Sequence, residues 1–164
     1  MRTHAVIVLI LASLTLALYW PATGFDFVRL DDPDNVTLNP LVTNGLTPGN
    51  LATAFTTRQP DYWRPLCWLS YMVDTELFGT GPRGYHLSNI VYHTMATAIL
   101  YLALSLMTGR PWLSSFVAAG FALHPMHIES VAWITERKDV LSAVFFSLTS
   151  MMMFPLGKRV KSWC

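Results

Sequence analysis

The sequence contains little charge and only two cysteines. Asp, Glu, Lys and Arg make up 13% of its 164 residues, against roughly 25% in soluble domains. The net charge is +1 and the basic residues are scattered along the chain, which argues against a basic surface for nucleic acid. Cys67 and Cys164 lie far apart and fit neither a C-x-x-C motif nor a zinc spacing. Apolar side chains, in contrast, account for 52% of the residues, and this composition is typical of a membrane protein.

Four apolar segments are candidates for membrane-spanning helices. A bilayer core of about 30 Å needs about 20 residues of helix, or about 17 in a thinner membrane. We predict spans at roughly residues 4–20, 86–107, 111–124 and 140–155. The first segment has a second interpretation, a cleaved signal peptide with Arg2 as its basic region. The sequence thus predicts an all-α polytopic membrane helix bundle with about four spans.

The charges indicate which side of the membrane each loop occupies. If the N-terminus is cytoplasmic, the cytoplasmic segments hold only basic charges, namely Arg2, Arg110, Lys158, Arg159 and Lys161. All ten acidic residues then fall in two outer loops, 21–85 and 124–139. Because Lys and Arg collect on the cytoplasmic side of short loops, we predict that both termini are cytoplasmic. The membrane would be a bacterial inner membrane or the endoplasmic reticulum.

Both outer loops contain helical patterns. The first loop, about 65 residues, is too long for a simple connection. It includes "WRPLCWLSYMVDTELFG", in which Pro65 suits the first turn of an interfacial helix and Gly79 suits its end. In the second loop a helix is predicted to follow Pro125, with Glu129 and Glu136 on one face.

Four stretches follow one another in an order that is characteristic of a known family. They are "FDFVRLDDPDNV", "YWRPLCWLSYMVD", "GPRGYHLSNIVYHTMATAILY" and "AAGFALHPMHIESVAWITERKDVLSAVFF". Together they resemble the N-terminal membrane region of the transmembrane-and-TPR-containing O-mannosyltransferases and their bacterial relatives, glycosyltransferases of the GT-C class. The most specific piece is H-P-x-H-x-E-x-V-x-x-I-x-x-R-x-D-x-L, which runs from His124 to Leu141. The resemblance implies a GT-C-like bundle.

The resemblance also implies an activity, the transfer of a sugar, typically mannose, from a polyprenyl-phosphate carrier to a protein hydroxyl on the non-cytoplasmic face. In this class an acidic pair in the first outer loop lies at the catalytic centre, and Asp31 and Asp32 match that position. A carboxylate there would take the proton of a Ser or Thr hydroxyl as it attacks the anomeric carbon. The alternative interpretation is a solvated turn, because "DDPDN" is rich in turn formers. Asp34 is assigned to that turn.

The second outer loop is expected to face the phosphate of the donor. Arg137 and Lys138 would lie at the membrane boundary, where Arg binds phosphate bidentately and Lys binds it as a point charge. The alternative is that they pair with nearby acids or with lipid headgroups. The other candidates for substrate binding are Arg64, His124, His127, Glu129 and Asp139. Arg64 would hold either the phosphate or an acid, and a structural pairing with an acid is slightly favoured. Two histidines and a carboxylate would also suit a divalent metal, but Pro125 between the histidines favours a hydrogen-bonded polar cluster, and no residue is assigned as a metal ligand.

The length of the chain leaves a second function open. Members of this family continue with further spans and usually with TPR repeats, whereas this sequence contains no 34-residue repeat. We therefore expect a single membrane module, residues 1–164, that is an N-terminal fragment and lacks much of the donor site. Its partners would be a lipid-linked sugar and an acceptor protein. The alternative is a non-catalytic membrane anchor or scaffold whose outer loop binds a partner; a transporter is less favoured, because no repeated half is visible.

Overall fold

The computed structural model of the chain describes residues 2–57 and 63–161, and within these ranges it contains helices and turns but no strand. The α-helices are α1 (Arg2–Tyr19), α2 (Pro40–Thr43), α3 (Pro48–Thr56), α4 (Pro65–Phe78), α5 (Pro82–Thr108), α6 (Pro111–Leu123), α7 (His127–Ala132) and α8 (Arg137–Lys161). The connections include two 3-10 turns, Trp20–Gly24 and Ile134–Glu136, and one π-helical turn, Pro33–Thr37. The predicted all-α class is confirmed for this part of the chain.

Two of the described helices are long and apolar enough to cross a membrane. They are α1 with the turn that follows it, Arg2–Gly24, and α5, Pro82–Thr108. Helix α6 is apolar but has only 13 residues, which gives a length of about 20 Å. Length and composition therefore support two spans, and the count of four, with 140–155 as the last, stays a prediction.

Proline and glycine determine where many of the helices begin and end. The helices that begin with proline are α2, α3, α4, α5 and α6. Proline suits this position because the first helical N–H has no partner within the helix. Gly79 and Gly109 follow α4 and α5 with φ angles of 77° and 66°, a region that favours glycine. The predicted bounds of α4, from Pro65 to the residue before Gly79, are thus confirmed.

Helix α5 is the central element of the bundle and packs against α1, α6 and α8. Towards one end of the bundle, Ile7 of α1 packs with Tyr101 of α5 and Ala118 of α6. Towards the other end, Tyr19 and Val140 lie in a second buried cluster that joins α1, α5 and α8. Small residues such as Ala118 let helices approach closely.

The described part of residues 21–85, the predicted first outer loop, forms a folded layer around an apolar core that also includes a residue from 124–139, the predicted second outer loop. Val36 and Val42 from the loop, Trp68 and Met72 from α4, and Ile134 from the second outer loop are buried together. Residues distant in sequence therefore share one apolar core. This layer is where the two outer loops meet, and it carries the predicted site residues.

A buried arginine joins three helices at this layer. Arg137, the first residue of α8, has no exposed side-chain surface. Its Nε donates to Asn89 Oδ1 at 2.7 Å and its Nη2 donates to the carbonyl of Tyr85 at 2.7 Å, both on α5. Its Nη1 forms a hydrogen-bonded ion pair with Asp74 of α4 and donates to Ser70 Oγ at 3.3 Å. These bonds connect α4, α5 and α8.

The surroundings of this guanidinium compensate for its burial. Its central carbon lies 4.4 Å from the centre of the Tyr71 ring, a favourable cation–π distance. Asp74 accepts a further hydrogen bond from Ser88 Oγ at 2.6 Å. Burial raises the pKa of Asp74, and the adjacent Arg137 charge and the bond from Ser88 oppose that rise. A charge removed from water costs several kcal/mol unless its partners are well placed, so this pair favours one arrangement of the three helices.

We predict that Asp74→Asn lowers the free energy of unfolding by about 3–5 kcal/mol, because it leaves the Arg137 guanidinium buried without a counter-charge. Denaturant unfolding of the detergent-purified chain would measure the change. Asp34→Asn is the matched control, since the Asp34 side chain is exposed and a surface change of this kind costs about 0.5 kcal/mol or less. Equal effects from the two variants would contradict the role of the pair.

Candidate functional site

The two acids of the predicted pair have different environments. Asp32 is fully buried and its Oδ2 accepts a hydrogen bond from the backbone N–H of Val28 at 2.7 Å. Its Oδ1 accepts two more, from the backbone N–H of Thr135 at 3.1 Å and from the Thr135 hydroxyl. Asp31 is half-buried. Within residues 2–57 and 63–161, no hydrogen bond to its carboxylate is present.

The Asp31–Asp32 pair also begins a turn, as the alternative interpretation expects. The backbone carbonyl of Asp31 accepts hydrogen bonds from the backbone N–H of Asn35 at 3.1 Å and from its Nδ2 at 2.8 Å. These bonds lead into the π-helical turn Pro33–Thr37. The local turn fixes the backbone of Asp31, and its carboxylate stays available for a ligand.

An apolar groove of about 480 Å³ lies between α3, α4 and α8. It is lined by Phe55, Trp63, Arg64, Pro65, Leu66, Cys67, Lys138, Leu141, Ser142 and Phe145. Arg64 and Lys138 bring two positive charges to a lining that is otherwise mainly apolar. Lys138 forms an ion pair with Glu136 and keeps 40% of its side-chain surface exposed. Cations beside apolar walls suit an amphiphile with an anionic head and a hydrocarbon tail.

A smaller cavity of about 170 Å³ lies near the opposite side of α8. Its walls include His127 and Asp139 from the predicted set, together with His93 of α5 and Ser130. Ser130 Oγ donates to Asp139 Oδ2 at 3.1 Å. The rings of His93 and His127 lie 5.4 Å apart between centroids. Of the residues predicted from 124–139, Lys138 therefore lines the groove, whereas His127 and Asp139 line the smaller cavity.

The chain is similar to protein O-mannosyl-transferases from several animals. It is 33% identical to one from Caenorhabditis elegans over 168 residues, which cover 93% of the chain and 23% of that protein. It is 42% identical to Tmtc1 of Drosophila melanogaster over 89 residues, 52% of the chain and 10% of that protein. It is 34% identical to human TMTC2 over 87 residues, 53% of the chain and 10% of that protein.

The chain belongs to this family. The predicted resemblance to the O-mannosyltransferases is thereby confirmed. The chain spans 23% of the worm relative and 10% of the fly and human relatives, so the activity of the whole proteins does not transfer to it directly. It matches no protein-family model and no solved structure.

In this member of the O-mannosyltransferase family, the neighbours Arg137 and Lys138 face different surroundings. Successive residues of a helix point about 100° apart, since one turn takes 3.6 residues. The Arg137 guanidinium points into the core and bonds protein groups, whereas Lys138 lines the groove. Of the three predicted cations, Arg64 and Lys138 are brought together and Arg137 is not.

His124 and Glu129 lie apart from the groove. Both side chains are exposed, and His124 Nδ1 accepts a hydrogen bond from the backbone N–H of Met126 at 3.2 Å. The described part of the chain contains no cluster of three or more His, Cys, Asp or Glu residues placed to hold a metal. Partial burial and the neighbouring His124 lower the pKa of His127, which favours its neutral, hydrogen-bonding form at neutral pH.

The helix predicted after Pro125 is interrupted, and this part of the prediction is wrong. Helix α7 ends at Ala132, Trp133 is extended, and a 3-10 turn, Ile134–Glu136, precedes α8. The break has a physical reason, because the carbonyl of Trp133 accepts a hydrogen bond from Asn89 Nδ2 at 3.1 Å and Thr135 binds Asp32. These tertiary bonds compete with a continuous helix.

Sequence reasoning missed Thr135 and the part of the groove lining that comes from α8. The missed lining residues are Leu141, Ser142 and Phe145. They follow Lys138 at i+3, i+4 and i+7, and this spacing places them on one face of a helix. The spacing was visible in the sequence. The partner of Thr135 was not, because Asp32 lies 103 residues away.

We predict that alkylation of Cys67 by iodoacetamide continues to accelerate above about pH 9. Only the thiolate reacts, and burial raises the pKa of this thiol more than Arg64 and the other nearby cations lower it. Mass spectrometry of a Cys164→Ser variant would give the rate against pH, with free glutathione as the control. A rate that levels off below about pH 8.5, the pKa of an ordinary thiol, would contradict the prediction.

Proposed function

We propose that the chain is the donor-binding and acceptor-activating part of a GT-C-type membrane glycosyltransferase. It would take a sugar, mannose by analogy with the names of its relatives, from a polyprenyl-phosphate carrier and pass it to Ser or Thr hydroxyls of an acceptor protein. The observation that carries this proposal is the groove in which Arg64 and Lys138 flank apolar walls. The groove lies next to the turn that holds the Asp31–Asp32 segment.

The groove matches the chemistry of a lipid phosphate. The phosphate would sit between the Arg64 guanidinium and the Lys138 ammonium, which replace part of its hydration with charge-assisted hydrogen bonds. The first isoprene units would lie against Phe55, Leu141 and Phe145, which are groove-lining side chains. Lys138, which pairs with Glu136 in the structure, keeps further N–H donors for the phosphate.

Asp31 is the better candidate for the catalytic base. The oxygens of Asp32 are already used by Val28 and Thr135, whereas the Asp31 carboxylate has room for an acceptor hydroxyl. In the proposed step the acceptor oxygen bonds to the anomeric carbon and its proton passes to Asp31. The bond between that carbon and the phosphate oxygen breaks, and its electron pair leaves with the phosphate, which Arg64 and Lys138 stabilise.

The proposed topology has four spans with both termini in the cytoplasm. Helices α5 and α6 follow one another through a short connection, α7 and a 3-10 turn lie between α6 and α8, and α5 packs against both α6 and α8. All ten acids and the groove would then lie towards the non-cytoplasmic face. A bacterial inner membrane or an endoplasmic reticulum membrane would both satisfy this arrangement, and further helices of a longer protein would complete the donor site.

We predict that Lys138→Gln and Arg64→Gln each weaken binding of a polyprenyl monophosphate about ten-fold, since each removes one charge-assisted contact of roughly 1.4 kcal/mol or more. Titration of the chain in nanodiscs would measure the affinity. Arg83→Gln is the matched control, because Arg83 is exposed at the start of α5 and does not line the groove. Equal affinity for the phosphate and for the uncharged polyprenol would contradict the donor site.

We predict that Asp31→Asn abolishes mannose transfer from polyprenyl-phosphate mannose to a Ser/Thr peptide while the affinity for polyprenyl monophosphate is kept. The amide cannot accept the hydroxyl proton, and base catalysis contributes about 10²–10⁴-fold to the rate. Because further helices complete the donor site in this proposal, the same substitution would be assayed in membranes expressing a full-length relative, with Asp34→Asn as the control because its carboxylate is exposed and assigned to the turn. Transfer by the Asp31→Asn variant at the rate of the unmodified relative would rule out Asp31 as the base.

A non-catalytic scaffold is the second candidate. The first outer loop exposes large apolar side chains, and Leu30 and Leu38 keep 67% and 72% of their surface accessible. Such side chains could contact a partner protein. This function would make Asp31→Asn silent, while Leu30→Ser and Leu38→Ser would abolish partner binding.

A further inference from the structure

The turn Ile134–Glu136 contacts both halves of the proposed site. Its middle residue, Thr135, gives two hydrogen bonds to Asp32, and its last residue, Glu136, pairs with Lys138 at the groove. Its first residue, Ile134, accepts a hydrogen bond from the buried Tyr71 hydroxyl at 2.9 Å. The turn is thus bonded to Tyr71 of α4 on one side and to Asp32 on the other. Asp32 belongs to residues 26–38, which we call the acid segment.

We propose that Thr135 is the positioning residue of the acid pair, which it holds at a fixed place relative to the donor groove. This inference rests on the proposed function. Thr135 does not touch the reacting groups; it acts on Asp31 through Asp32, the next residue in the chain. Thr135 therefore contributes by fixing the position of Asp31. Its loss should lower kcat and leave the affinity for the donor unchanged.

The burial of Asp32 makes this contact specific for a hydroxyl side chain. Asp32 has no exposed surface, so its charge needs donors from the protein rather than from water. Oδ2 accepts a hydrogen bond from the backbone N–H of Val28, which belongs to the same segment, whereas the hydrogen bonds to Oδ1 both come from Thr135. Any residue except proline supplies the backbone N–H at position 135, whereas the second donor is the Thr hydroxyl, which Ser would keep and Val would lack.

Chain geometry sets the distance that this contact controls. Thr135 and Lys138 are three residues apart, and three residues span at most about 11 Å. A contact to Thr135 therefore attaches the acid segment to the same short stretch of chain that carries Lys138. Without the hydroxyl, the segment from Asp26 to Leu38 would be held across the site by one bond fewer, and Asp31 would sample positions away from the anomeric carbon.

The test compares Thr135→Val with Thr135→Ser in the full 164-residue chain. Val removes the hydroxyl at nearly constant shape, and Ser keeps it. Thr53→Val is the matched control, since Thr53 lies in the same outer loop and its hydroxyl only bonds the carbonyl of Gly49 in its own helix. Asp32→Asn serves as a second probe of the same contact if Thr135→Val does not fold. Hydrogen exchange over residues 26–38 and steady-state transfer kinetics are measured on each variant.

The expected result is that Thr135→Val speeds amide exchange over residues 26–38 about ten-fold or more and lowers kcat at least ten-fold. KM for polyprenyl-phosphate mannose should stay unchanged, and Thr135→Ser and Thr53→Val should behave like the unmodified chain. Unchanged exchange in Thr135→Val would overturn the assignment, and so would faster exchange with an unchanged kcat.

The two proposals fail in different ways. If the unmodified chain binds no polyprenyl phosphate, the proposed function is wrong; if it binds the phosphate but transfers no mannose, transfer needs the further helices of a longer protein. The amide exchange rates over residues 26–38 then decide the role of Thr135. Faster exchange in Thr135→Val but not in Thr135→Ser supports Thr135 as the residue that holds the acid segment. Equal rates in the two variants overturn that assignment.

Discussion

The buried charge of Arg137 is the constraint on which the outer half of this structure depends. A guanidinium removed from water needs hydrogen-bond acceptors in a fixed, planar arrangement. Here those acceptors come from α4 and α5, while the arginine itself begins α8. The three helices can satisfy the charge only when they meet in one geometry, and the packing of Tyr71 over the guanidinium adds to that preference.

This geometry determines how α8 presents its other side chains. With Arg137 held in the core, Lys138 turns towards α4 and Asp139 towards the smaller cavity. The groove is thus a consequence of the buried ion pair, because its two walls, α4 and α8, are joined by that pair. Thr135 lies two residues before Arg137 and bonds to Asp32. This contact attaches the acid segment to the helices that the ion pair joins. Arg137, which stabilises the fold, and Lys138, a candidate binding residue, are therefore adjacent in sequence but have separate roles.

Local signals in the sequence predicted much of this architecture. Proline and glycine gave the bounds of α4, the apolar run around α5 gave a helix long enough to cross a membrane, and the ordered motifs gave the family. The sequence predicted a pair of cations, Arg137 and Lys138, for the phosphate; the structure instead places Lys138 with Arg64 in the lining of one groove, and phosphate binding there stays a prediction. The sequence could not reveal that Asp74 lies beside Arg137, because the two residues are 63 positions apart in the sequence and leave no local pattern. The break after Ala132 escaped prediction for the same reason, since Asn89 and Asp32 impose it from distant parts of the chain.

The most direct test of this account is to map where a photoreactive polyprenyl monophosphate crosslinks to the chain in a lipid bilayer. The account predicts crosslinks on the two walls of the groove, within residues 63–67 and 138–145, and their loss when unlabelled polyprenyl phosphate competes. A second apolar groove, between α1 and α6, includes Leu11 and Phe116 and has no charged residue in its lining. Crosslinks confined to that groove, or unaffected by the competitor, would contradict a donor site at Arg64 and Lys138.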